Sequence, residues 1–151
     1  MCMQLYIGLD NELCDEGQGS EFRPWRLHQE SNDDNFADKY LTKKYRYGLM
    51  GCACDLWYDL NQPIEIFDGM TDDEIRSHTI SVREGNKRRK QGVEKLFSYI
   101  SSNVESDNCE LVSFWAGEYK MEHNDILDLK GMVLGDDFKF FKEGQYITVH
   151  I

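Results

Sequence analysis

The strongest constraint in this 151-residue chain is a helical signal between Thr71 and Val104. Thr71-Asp72-Asp73-Glu74 has the spacing of a capping box, in which the Thr hydroxyl accepts from the amide three residues on and Glu74 reaches back to the amide of Thr71. Asp72 and Asp73 suit the positive end of a helix dipole, so a helix is expected to start at 72. Ser81 and Glu84 repeat the spacing, and behind them Val93, Leu96, Phe97, Ile100 and Val104 recur at helical intervals. The main amphipathic helix is therefore expected over about 82–104, its apolar stripe laid on a sheet and Arg88, Glu94 and Lys95 on or near the water side.

The partner sheet is read from shorter runs. Residues 3 to 9 are apolar with β-formers and end in the turn signal Asp10-Asn11. Residues 10 to 40 are polar without a sustained period, which predicts a long surface excursion pinned by Phe22, Trp25 and Leu27. Tyr45 to Tyr58 reads as two strands, or one bent at Gly51, with Tyr45, Tyr47 and Leu49 on one face and Cys52 and Cys54 sharing a face as well. Residues 63 to 68 suit another short strand or an edge segment, and Glu110 to Ala116 a strand. Ile126, Leu127 and Leu129 suit a short helix or edge strand, Gly135 to Asp137 a corner, and Phe138 to Ile151 a closing hairpin turning at Glu143-Gly144. The expected fold is α+β, a mixed or mostly antiparallel sheet with the main helix on one face, as a single globular domain over residues 1–151. A chain of this length buries about 70% of its unfolded surface, so its core needs no staple.

Charge narrows the partners. The chain holds 28 acids against 17 bases, a formal net charge of -11, yet residues 81 to 105 hold six bases against three acids. Binding phosphates requires cations that displace counterions, so nucleic acid and anionic membranes are disfavoured and a basic protein partner is favoured. The island Lys87 to Lys90, with Arg83 and Lys95, is expected to serve solubility and to pair with acids elsewhere in the chain. No apolar run is long enough for a membrane span, and Asp10, Glu12, Asp15 and Glu16 stand where a signal peptide would be cationic and then apolar, so a cytoplasmic location is expected.

The chemistry-bearing residues are sparse. The five cysteines (Cys2, Cys14, Cys52, Cys54, Cys109) are odd in number and irregularly placed, which suggests reduced thiols. Cys52 and Cys54 are the metal candidates, with Cys2 and any of His28, His78, His123 or His150 to complete a site, but no second ligand pair stands at zinc spacing. No nucleophile elbow, phosphate-binding loop, dinucleotide fingerprint or zinc-protease motif occurs, so no catalytic residue and no cofactor is assigned, and a binding protein is favoured over an enzyme. Trp25, Trp57 and Trp115 become interface candidates if exposed.

The opening Met1, Cys2, Leu5, Tyr6 and Ile7, the central Tyr45, Tyr47, Gly51, Cys52 and Cys54, and the late Trp115 and Gly117 together resemble a family of small uncharacterised bacterial proteins. The chain departs from it by carrying Ala53 and Asp55 in an otherwise glycine-rich centre. The resemblance implies a bacterial origin and a grouping of Cys2 with Cys52 and Cys54, and carries no activity. The functional expectation is an acidic binding module, its surface built from residues 10–38 and 118–137 with Asp33, Asp34, Asp136 and Asp137 as contacts for a basic partner. An immunity-type or antitoxin-type inhibitor of a nuclease is one instance. The alternative is a metal-binding or thiol-dependent protein centred on Cys52 and Cys54.

Overall fold

The computed structural model describes residues 2–13, 22, 24–27, 32–50, 52–115, 117 and 120–151, without the side chains of residues 32–34, 50 and 54. In chain order the elements are β1 (Met3–Leu9), β2 (Trp25–Arg26), α1 (Asn32–Tyr40) and β3 (Tyr45–Met50). A 3₁₀ turn (Ala53–Leu56), β4 (Tyr58–Asp59) and α2 (Asp72–Asn103) follow. The chain closes with β5 (Asn108–Trp115), β6 (His123–Asp128), β7 (Asp137–Phe138) and β8 (Gln145–His150).

Side chains alternate across a strand, and here both faces of the sheet are covered, which is why β1 and β5 read as nearly unbroken apolar runs. Met3, Leu5, Ile7 and Leu9 of β1, Leu111 of β5 and Ile147 and Val149 of β8 face Val93, Leu96 and Ile100 of α2 in one buried cluster. Burying each such side chain contributes about 1.5–3 kcal/mol. Tyr6, Val112 and Phe114 point the other way and are covered by Phe36 and Ala37 of α1. There the Tyr6 ring stacks on Phe114 at 5.3 Å between centroids and Phe36 meets Phe114 edge-on at 4.8 Å.

The six-stranded sheet runs β2-β3-β1-β5-β8-β6, antiparallel throughout except for the parallel pair β6-β8. The α+β architecture with a mixed, mostly antiparallel sheet and one long helix is as the sequence predicts. The capping box at Thr71 is present in full. Tyr47 and Leu49 are buried on one face, with Tyr45 packed against the same cluster.

Several local expectations are overturned. The helix is one continuous rod from Asp72 to Asn103, with no start at 82. The Ser81-Glu84 pattern lies inside it, where the amides a cap would satisfy are already bonded to the preceding turn. Residues 10 to 40 contain β2 and α1; α1 is anchored by little more than Phe36 and Ala37, too brief a contact to register as a period. Residues 63 to 68 form no strand, and a 3₁₀ turn from Ala53 replaces the extended backbone that would place Cys52 and Cys54 on one face. Gly51 lies outside the described residues.

The closing hairpin does not form. β7 pairs with β4 instead, because Phe138 is claimed by an aromatic group of Tyr58, Phe97, Phe140 and Phe141. The turn at Gly144 is real, with φ of 59°, and an added Cβ there would stand 2.1 Å from the carbonyl oxygen of Lys120. Its carbonyl accepts from the amides of Glu122 and His123 at 2.7 and 3.0 Å, which starts the parallel β6-β8 register. Among the described residues no helix is long and apolar enough to cross a membrane.

Candidate functional site

A helix of 32 residues is about 48 Å long, whereas the sheet's strands of six to eight residues span only about 20–27 Å. The rod therefore overhangs the core. Its buried residues begin only at Asn86, near the midpoint, and continue with Val93, Leu96 and Ile100 in the second half. Asn86 marks the point of departure: its Oδ1 accepts from the Asp59 amide at 3.1 Å and its Nδ2 donates to Gln62 Oε1 at 3.3 Å. Before it, residues 72–85 form an arm with no buried member.

The arm is held locally. The Thr71 amide donates to Glu74 Oε2 at 2.7 Å and the Glu74 amide to Thr71 Oγ1 at 3.4 Å. These bonds, from the Thr71 backbone first and its hydroxyl second, lower the Glu74 carboxyl below its ordinary value. The incoming segment 61–71 lies beside it, with the Phe67 ring 6.2 Å from His78 and the Phe67 amide donating to Met70 Sδ at 3.4 Å. Ile66, Phe67 and Ile80 are nonetheless 61%, 59% and 50% exposed. Between Asn61 and Ile75 the chain carries five acids and no base. Among the described residues, Glu65, Asp68, Asp72 and Asp73 make no ion pair.

Among the described residues of the body, several acids are ion-paired. Lys43 Nζ meets Asp10 at 2.5 Å, Arg46 meets Asp38 at 2.7 Å, Lys120 meets Glu122 at 2.6 Å and Lys139 meets Asp59 at 3.3 Å, while Arg26 pairs with Glu12. Asp136 and Asp137 are exposed at the start of β7. The Asp136 carbonyl accepts from the Leu60 amide at 2.7 Å and its Oδ2 from Asn61 Nδ2 at 3.3 Å, so this corner forms the root of the segment that leads to the arm. Asp33 and Asp34 stand at the start of α1, on the opposite face of the sheet, and their side chains lie outside the described residues. The structure thus separates the four acids that the sequence groups together. It adds a surface the sequence reading passed over, whose only signal was an apolar cluster, Ile64, Ile66 and Phe67, set among acids and following Pro63.

The cysteines do not gather either. Cys2 is exposed and free, and Cys109 is buried and free, its thiol pushed up to about 12 by burial. Cys52 is disulfide-bonded, so the expectation of reduced thiols fails for it. In that state it offers no thiolate to a metal. Cys14 and the side chain of Cys54 are not described. Among the described residues no three His, Cys, Asp or Glu side chains come together as a metal site. Trp25 is 37% exposed, while Trp57 and Trp115 are half-buried.

Among the described residues Arg83, Lys87, Arg88, Arg89 and Lys90 form no ion pair with an acid of the chain, although Lys90 Nζ stands 5.9 Å from the Tyr58 ring centre. No protein-family model, curated protein or solved structure matches this chain.

Proposed function

We propose that the protein is a binding module that docks a basic protein partner through its overhanging arm. The observation that carries this reading is the coincidence, on residues 61–80, of exposed Ile66, Phe67 and Ile80 with unpaired Glu65, Asp68, Asp72 and Asp73. A desolvated aromatic anchor inside a charged rim is the usual anatomy of a protein interface. The acids steer a cationic surface into place and Phe67 and Ile66 supply the apolar contact. Asp136 and Asp137 extend the same negative field at the root of the segment, while Asp33 and Asp34, on the far face, belong to no common footprint with them. An inhibitor that covers the cationic cleft of a nuclease, as immunity proteins do, is one instance of such a pair.

The test is capture from a lysate of the source cell by immobilised full-length protein, beside D68K/D72K/D73K and F67S, with retained proteins identified by mass spectrometry. The reading expects a basic protein held at low salt, released as salt rises and lost with both variants. Retention that is indifferent to salt and to both variants overturns it.

A further inference from the structure

Where α2 leaves the core, its buried line Leu96, Val93, Asn86 is flanked by the half-buried Gly92 and Gly85. Leu96 is fully buried, as packing against a sheet demands. Glycine at these half-buried positions is unexpected, since each glycine in a helix interior costs about 0.5–1 kcal/mol relative to alanine. Packing does not require it. A Cβ added at Gly85 would meet nothing within 4 Å, and one at Gly92 only Leu56 Cδ2 at an ordinary 3.7 Å.

What the missing side chains leave is a hollow of about 470 Å³ between the helix and the 3₁₀ turn. Phe22 and Leu56 form its apolar wall, and Arg88 and Arg89 reach it from the helix. Among the described residues Asp55 is the one acid that lines it. Neither arginine forms an ion pair with Asp55 or with another acid among the described residues. Two unpaired guanidiniums beside an apolar wall match a ligand with a charged head and an apolar body, because guanidinium binds carboxylate and phosphate by paired N–H donors. The volume lies within the range of small-ligand sites.

We propose that this hollow binds a small amphiphilic anion, its carboxylate or phosphate head on Arg88 and Arg89 and its apolar body against Phe22 and Leu56. The site is separate from the docking residues proposed on 61–80, and its charge is opposite. Gly85 and Gly92 keep the entrance clear, and Asp55 disfavours ligands that carry a second negative group near the wall.

The test is a titration of the ¹⁵N-labelled full-length protein, followed by the backbone amides of residues 85–92 and the arginine side-chain N–H signals. Three probes separate the components: sodium octanoate, octyl phosphate and inorganic phosphate. Octanoate or octyl phosphate is expected to shift the Gly85, Gly92, Arg88 and Arg89 signals saturably at one equivalent, the tighter of the two naming the head group. Inorganic phosphate alone should bind at least about tenfold more weakly, for want of the apolar wall. R88Q/R89Q should weaken binding by on the order of tenfold or more. Gly85→Leu, a better helix former whose side chain occupies the hollow, should abolish binding while the remaining spectrum stays native. Absence of saturable shifts at these residues with both amphiphiles overturns the proposal, as does binding that survives both variants or phosphate binding as tight as that of octyl phosphate.

Discussion

Glu110 shows how one residue can be forced into the sheet and still be satisfied. It is buried on β5, and its carboxylate accepts from the Thr42 amide at 2.7 Å, the Lys43 amide at 3.0 Å, the Tyr146 hydroxyl at 2.8 Å and the Thr42 hydroxyl. Burial alone pushes its carboxyl up, but the hydrogen bonds from Thr42, Tyr146 and Lys43 outweigh that and hold it below its ordinary value of 4.5. Tyr146 stays a neutral donor, since burial, followed by its bond to Glu110, raises its hydroxyl to about 12. A carboxyl lowered on folding binds its proton more readily in the unfolded chain. Its stabilisation is therefore complete above the ordinary glutamate range and lost as pH falls through the lower folded value. Urea midpoints measured from pH 3 to 7 should rise with pH across that window, and Glu110→Gln should flatten the rise while costing about 2 kcal/mol at neutral pH. The two free cysteines differ for a related reason. Alkylation under native conditions should modify Cys2 and leave Cys109 intact until the protein unfolds, because a buried thiol held near 12 has almost no thiolate. Native labelling of Cys109 would contradict its placement.

At the scale of the element, α2 is two helices in energetic terms. Its second half is held by the core, while its first half depends on the cap and on the contacts of the 61–71 segment. Thr71→Ala should accordingly raise amide exchange over residues 75–85 and leave protection around Leu96 and Ile100 unchanged, since opening of the arm is local. The same variant lowers helicity without a matching fall in the global midpoint. A uniform loss of protection along the rod would show that the arm is coupled to the core after all. Gly85→Ala works in the opposite sense, with about 0.5–1 kcal/mol gained, because its Cβ meets nothing and the helix loses an entropic weakness.

At the scale of the whole molecule, α1 and α2 pack on opposite faces of the sheet, so the proposed docking on the arm of α2 leaves α1 on the far side. D136K/D137K is expected to weaken capture of a basic partner in a salt-dependent way, whereas D33K/D34K should leave it near the wild-type level, as read by association rates at low and high ionic strength. Equal effects would point to a general field with no defined footprint. The sequence by itself determined what depends on neighbours along the chain: β1, the cap at Thr71, the stripe from Val93 to Ile100, and the turn at Gly144. It also determined the acidic balance and the basic island. Only the tertiary structure decided what depends on which element reaches which. Phe138 left the expected hairpin for Tyr58 and Phe97, α1 formed around two residues because Phe114 offered them a ring to cover, and the helix ran through Ser81 because nothing there stopped it. The arm exists for a physical reason that a linear pattern does not express: a helix of about 48 Å was laid on strands about half as long, so its surplus length faces solvent rather than a core.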